Sequence, residues 1–248
     1  MRTLLQFLAL SDRYERKARL LPGLVAASPI GLTAALLAPS LLDWGSGLVG
    51  SLVLEVVLGV VLGLLARARG KVVEESLWVQ WNGPPTTRLL RPDSTESSET
   101  VRVRWRKAVK DLTGMVIPAS MPDGKTPSEV DQIIADAVRQ LRYTLRDKEE
   151  ARLVSVHNED YGFARNLLGL RPHWLAASCA SLLACGIAFW AGYQAWAALA
   201  VALVSLAIAV LVSWELPSFV RRCADRYAES LLSTAVTISR SAQSSKDV

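Results

Sequence analysis

The stretch HWLAASCASLLACGIAFWAGYQAWAALAVALVSLAIAVLVSW, His173 to Trp214, runs 42 residues without one Asp, Glu, Lys or Arg. A helix needs about 20 apolar residues to cross the hydrocarbon core of a bilayer, so this stretch is long enough for two spans. Ala191-Gly192-Tyr193-Gln194, near its middle, supplies a tight turn between them. A second apolar pair stands earlier, Leu20–Leu42 and Trp44–Ala66, divided at Asp43 and with Gly45 and Gly47 just beyond. Four spans are predicted. A soluble fold would have to bury four all-apolar helices with the little polar protein left in a 248-residue chain.

The distribution of basic residues orients the spans. Arg2, Arg13, Arg16, Lys17 and Arg19 precede the first, and Arg67, Arg69 and Lys71 follow the second. Arg165 and Arg171 precede the third, and Arg221, Arg222 and Arg226 follow the fourth, whereas the turns at Asp43 and Gln194 carry no Lys or Arg. By the positive-inside rule both termini and the central region of this multi-pass protein face the cytoplasm. The net charge of +5 is thus a topology signal and gives no case for duplex nucleic acid as a partner. A cleaved signal fits the first span poorly, because its basic region is long and another span follows directly. Cys179, Cys185 and Cys223 lack zinc or disulfide spacing and read as small packing residues.

The chain therefore divides into a cytoplasmic amphipathic N-terminal segment (1–19), a first transmembrane hairpin (20–66), an inserted cytoplasmic domain (67–172), a second hairpin (173–214) and a C-terminal helix with a disordered Ser-rich tail (215–248). The fold class is mainly α, with an α-rich or α+β inserted domain. Val72–Trp81 reads as a helical extension of the second span or as a strand. Asn82-Gly83-Pro84-Pro85-Thr86-Thr87 is a turn, and 92–100 an exposed loop. Residues 99–114 form a helix ended by Gly114. Thr126-Pro127-Ser128-Glu129 opens another through a capping box, its apolar face being Val130, Ile133, Ile134, Ala137, Val138, Leu141 and Leu145. Leu153, Val154 and Val156 suggest a short strand, after which Asn158 caps a helix ended by Gly169 and Pro172. Pro217 opens the last helix.

The catalytic inventory is thin, with His157 and His173 the only histidines and no metalloprotease, P-loop or nucleophile-elbow motif. Adjacent carboxylates such as Glu74-Glu75 and Glu149-Glu150 diverge on a helix and read as solvated surface. No enzyme activity, metal or cofactor is expected. Glu55 is the sharpest single residue, because a charged carboxylate facing lipid at mid-span costs at least ~2.5 kcal/mol. It belongs to a stripe, Gly47, Ser51, Glu55, Gly59, Gly63 and Arg67, of residues four apart. Two readings stand: Glu55 holds a helix pair together, or with Ser51 and Gly59 it lines an ion path between copies. Gly23, Ala27, Gly31 and Ala35 form a matching stripe in the first span, with Pro29 and Pro39 off it. Ala176, Ala180, Ala184, Ala188 and Gly192 form a third. Trp44, Trp174, Trp190, Trp196 and Trp214 are placed as interfacial anchors.

Two cytoplasmic segments join turns or caps to aromatic and guanidinium groups, the ingredients for gripping a phosphate and stacking a base. From the first come Trp81, Arg88 and Arg91, and from the second Asn158, Tyr161, Arg165 and Asn166. Arg88, Arg91 and Arg165 are the expected phosphate contacts, Trp81 and Tyr161 the stacking surfaces, Asn158 and Asn166 the polar orienters. Domain packing and lipid headgroup contact are the simpler explanation of the same residues.

The same segments carry a resemblance. Trp81, Gly83-Pro84-Pro85-Thr86-Thr87, Leu89-Leu90-Arg91, Arg146-Asp147, Asn158, Tyr161-Gly162-Phe163 and Arg165-Asn166-Leu167-Leu168-Gly169-Leu170, then Pro172, resemble the pattern of an uncharacterised bacterial family of four-span membrane proteins. The match covers roughly residues 20–172. Ala164 stands where that pattern carries a second Arg, which lowers the charge of this helix. The architecture is similar to membrane effectors of antiphage systems, such as the Hailong ion-channel effector held by oligodeoxyadenylates. The resemblance implies a homo-oligomeric channel or pore-forming effector gated by a nucleotide or oligodeoxyadenylate. The alternative is a membrane adaptor that recruits a soluble cytoplasmic partner and forms no pore.

Overall fold

Trp44–Gln80 forms one helix, α2, about 55 Å long at 1.5 Å per residue, more than a bilayer core requires. The computed structural model describes residues 13–37, 44–193 and 196–244. Asp43, Pro39, Gln194, the segment before Arg13 and the last four residues lie outside them. Ahead of α2 stands α1 (Arg13–Leu37), with a π turn at Arg16–Leu20. After it come α3 (Pro85–Leu90), α4 (Glu99–Thr113), α5 (Pro127–Leu145), α6 (Arg152–Trp190) and α7 (Trp196–Ser244). The fold is helical, with no strand among the described residues. Helices α1, α2, α6 and α7 are long and apolar enough to cross a membrane.

Several expected boundaries fall. Val72–Trp81 continues α2 to Gln80 and is no strand. Leu153, Val154 and Val156 are helical too: Ala151 and Val154 are buried while Leu153 is 57% exposed, a helical alternation. Asn158 therefore lies inside α6 instead of capping it. Gly169 and Pro172 also stand inside α6, and Pro217 inside α7. Each proline forfeits one backbone bond, which long membrane helices tolerate. The expected disordered tail is helical to Ser244.

Local punctuation elsewhere behaves as its chemistry requires. Thr126 Oγ1 accepts from the Glu129 backbone at 3.3 Å while Glu129 Oε2 accepts from the Thr126 backbone at 2.7 Å, the expected capping box. Gly114 ends α4 with φ of 74°. Between α6 and α7, Gly192 (φ 85°) lets its own N–H reach Phe189 O and the Tyr193 N–H reach Ala188 O, a Schellman motif. Asn82 (φ 60°) and Gly83 close α2 in the same way.

The chain forms two compact units. One comprises residues 1–75 and 159–221 and contains the four apolar segments. Here the α1 and α2 stripes meet. A Cβ on Gly23 would stand 2.1 Å from Gly59 O and 2.6 Å from Gly63 N, and one on Gly31 would stand 2.5 Å from Glu55 Oε2. The buried line of α2 is Gly47, Ser51, Gly59, Gly63, Ala66, Gly70, Glu74 and Leu77. It drifts to Ala66, and Arg67 is exposed. The third stripe does not pack in this way. Ala176, Ala180 and Ala184 are exposed, while α6 buries Trp174, Ala177, Ser178, Ser181 and Cys185. Trp174 is thus a packing residue and no interfacial anchor, whereas Trp190, Trp196 and Trp214 are exposed.

The second unit, residues 76–158 and 222–248, has its own apolar core. Trp105 and Val109 of α4, Ile134 and Leu141 of α5, and Leu231 and Leu232 of α7 meet there. The apolar face expected of α5 is buried except for Ile133, which is half-buried.

The glycine contacts predict a sharp contrast. Gly23→Val must force α1 from the α2 backbone and should destabilise the chain by about 1–3 kcal/mol, as overpacking does. Gly50→Val, with nothing within 4 Å of its Cβ position, should change stability by less than ~0.5 kcal/mol. Unfolding of the two detergent-extracted variants measures the difference.

Candidate functional site

Where α2 and α6 cross, neither backbone leaves room for a Cβ. One on Gly169 would stand 2.6 Å from Gly70 N, and one on Gly70 would stand 2.0 Å from Asn166 Oδ1. Gly162 meets α1 similarly, 2.9 Å from the Ala18 Cβ and 3.0 Å from the Tyr14 hydroxyl. Three helices are drawn together, and they enclose a polar cluster. Arg165 Nη1 donates to Glu74 Oε1 at 2.9 Å and to Oε2 at 3.0 Å, and the Tyr161 hydroxyl donates to Glu74 Oε1 at 2.6 Å. The Arg165 guanidinium lies 5.7 Å from the Tyr161 ring centre. Asn166 Nδ2 donates to the Ala18 carbonyl at 2.6 Å, within the π turn of α1.

Glu74 is 8% exposed and Asn166 1%. Burial pulls the Arg165 guanidinium down, but the Glu74 charge and hydrogen bonds outweigh it and hold Arg165 above its ordinary value. Beside this cluster Glu159, itself buried, faces Arg13 Nε at 3.3 Å, and Lys17 reaches Asp160 at 2.7 Å. Thus α1 is tied to α6 by charge as well as by the Asn166 amide.

In the second unit Arg88 Nη2 donates to Glu96 Oε2 at 2.7 Å and to Asp225 Oδ1 at 3.1 Å. Arg91 makes a two-pronged pair with Asp131 at 2.7 and 2.6 Å, and that bond holds it above its ordinary value against burial. Arg106 donates to Leu90 O and Arg91 O at 3.2 Å, and burial pulls its guanidinium down. Arg102 donates to the Ser94 and Ser97 carbonyls. Four arginines therefore pin the turn at residues 91–98. Trp81, half-buried, follows the end of α2.

The expected ligand residues are thus divided between the units. Tyr161, Arg165 and Asn166 come together in the first. Arg88, Arg91, Trp81 and Asn158 belong to the second, where Asn158 lines a cavity with Arg142 and Arg146. Arg91 meets its carboxylate in the two-nitrogen fork a phosphate would use, whereas Arg165 reaches both Glu74 oxygens through Nη1 alone. Glu55 is half-buried beside Gly31 and Gly59 is buried against Leu24, while the Ser51 hydroxyl donates to Leu48 O of its own helix. Among the described residues Glu55 has no hydrogen-bond or ion-pair partner.

Sequence reasoning missed Glu74, which it assigned to solvated surface with Glu75. Its signal was positional: Glu74 follows Gly63, Ala66 and Gly70 at helical spacing, the continuation of the buried line. Glu96, Asp131 and Asp225 had no such signal. No family model, curated protein or solved structure matches the chain.

Removing one member of the Glu74–Arg165 pair leaves a buried charge without its partner. Glu74→Leu or Arg165→Leu alone should destabilise by about 3 kcal/mol, and the double replacement by clearly less than the sum. Denaturation of the four chains in one detergent measures the coupling.

Proposed function

We propose that the chain is an oligomeric inner-membrane channel or pore-forming effector, with both termini cytoplasmic and an ion path beside Glu55. The observation that carries this is Glu55 itself. A carboxyl at mid-span with no partner among the described residues needs water, a proton or a second copy. A ring of such groups around a wet axis attracts cations and repels anions. The basic segments next to the spans support the orientation.

In this reading a nucleotide-type anionic ligand controls the path from the cytoplasmic side. The resemblance to antiphage effectors supports the ligand class and a role in defence. The Glu74–Arg165–Tyr161 cluster supports the coupling, because it ties α2 to α6 and so binds one span of each hairpin to the other. A second reading, a membrane adaptor without a pore, draws on the arginine pairs: Arg91 and Arg165 are engaged by carboxylates and serve as internal struts.

Reversal potentials in liposomes separate the two. The wild type should pass cations in preference to anions. Glu55→Gln should keep the native oligomer and lose much of that preference, whereas an unaltered preference removes Glu55 from the path. No ion flux under any ligand condition favours the adaptor.

Orientation has its own test in a background lacking the native cysteines. A thiol at Gln194 should react with an impermeant reagent in intact cells, and one at Lys148 only after lysis. The reverse pattern overturns the topology.

A further inference from the structure

A cavity of about 230 Å³ lies within the second unit, walled by the end of α5, the start of α6 and one turn of α7. Leu145 and Leu231, both buried, form part of its wall. Its polar lining is Arg142 from the last turn of α5 and Arg146 just past its end, Ser155 and Asn158 from α6, and the half-buried Tyr227 from α7. Among the described residues no carboxylate lines it. The volume is that of roughly eight water molecules, enough for a phosphate group and part of its ester.

The arginines here differ from the others predicted to bind phosphate. Arg91 and Arg165 are closed by Asp131 and Glu74, whereas Arg142 and Arg146 are exposed and have no hydrogen-bond or ion-pair partner among the described residues. Asp147, Glu149 and Glu150 follow closely in sequence, yet none pairs with either. The arginines stand four apart on one helix face, where like charges repel, and an anion between them removes that repulsion. The end of α5 points carbonyl oxygens this way, so binding must come from the guanidinium forks and the Ser155 and Asn158 side chains.

We infer that this cavity is a binding site for the phosphate group of a phosphorylated ligand, gripped by Arg142 and Arg146 and oriented by Ser155 and Asn158. The site deepens the ligand-gated reading above and rests on it for its role in gating. It moves the expected ligand contacts from Arg88, Arg91 and Arg165 to a pair of arginines that folding leaves free. A soluble phosphate ester and a lipid phosphate share this chemistry.

The test uses the full chain in nanodiscs of phosphatidylcholine alone. Two probes are titrated by calorimetry: inorganic pyrophosphate and short-chain phosphatidic acid. Saturable binding of at least one is expected, and the probe that binds identifies the source as soluble or lipid. Arg142→Ala and Arg146→Ala should each weaken that binding roughly ten- to a hundredfold, and the double replacement more. Arg139→Ala, at an arginine that pairs with Asp136 and does not line the cavity, should leave it unchanged. Both target side chains are exposed, so their removal leaves the fold intact, and Arg142→Lys should recover part of the lost affinity. Binding of neither probe, or binding indifferent to both alanine replacements, overturns the proposal. Calorimetry requires no ion flux, so a chain that binds phosphate and conducts nothing removes the channel and leaves this site standing.

Discussion

Two helix backbones can touch only where no Cβ intervenes, and the first unit is organised around such contacts. Gly23 against Gly59 and Gly63 brings α1 onto α2, and Gly70 against Gly169 brings α2 onto α6. In a bilayer, lipid tails are as apolar as Leu, so apolar side chains gain little by leaving them. At the Gly23 contact, between two apolar segments, close backbone approach supplies the dispersion contacts that replace the hydrophobic effect. The polar cluster depends on this geometry. Only because Gly70 lacks a side chain can Asn166 lie against α2 and reach the Ala18 carbonyl, and the same crossing puts Glu74 within reach of Arg165 and Tyr161.

The arginines then sort by what folding does with them. Arg91 forks two nitrogens onto Asp131, Arg165 spans both Glu74 oxygens with one, and Arg88 divides one nitrogen between Glu96 and Asp225. Each pairing satisfies a charge that burial would otherwise penalise by several kcal/mol. A phosphate entering these positions would have to displace a tethered carboxylate whose entropy is already lost. It would then leave that carboxylate beside its own negative charge. Free exposed arginines face neither cost, which is why pairing discriminates a binding arginine from a structural one better than its sequence context does.

That distinction also marks the limit of what was legible in the chain. Spans, the capping box at Thr126, the turns at Asn82 and Gly192 and the small stripes of α1 and α2 follow from local chemistry, and the structure has them. Val154 and Asn158 were misplaced because a short apolar run does not separate strand from helix. Gly169 and Pro172 were read as stops and Pro217 as a start by local propensity, which tertiary packing overrides: Gly169 is required at a backbone crossing inside α6. Glu74 shared a dipeptide with Glu75, and only the drift of the buried line from Gly63 to Ala66 distinguishes the two. Partners more than a hundred residues apart, such as Arg88 with Asp225, left no local trace.

The same drift constrains any assembly of this chain. A straight helix of 3.6 residues per turn cannot keep residues four apart on one side, so a stripe at that spacing must step by three. In α2 the step comes after Gly63, and the face it preserves is already used by α1 and α6. That surface is therefore closed to other copies over most of its length. Glu55 is the half-buried member of this line, set against Gly31 of α1. The glycine that lets the helices meet brings no side chain to pair with the carboxyl. Small faces still free to meet a neighbour lie elsewhere, chiefly at Ala176, Ala180 and Ala184 of α6.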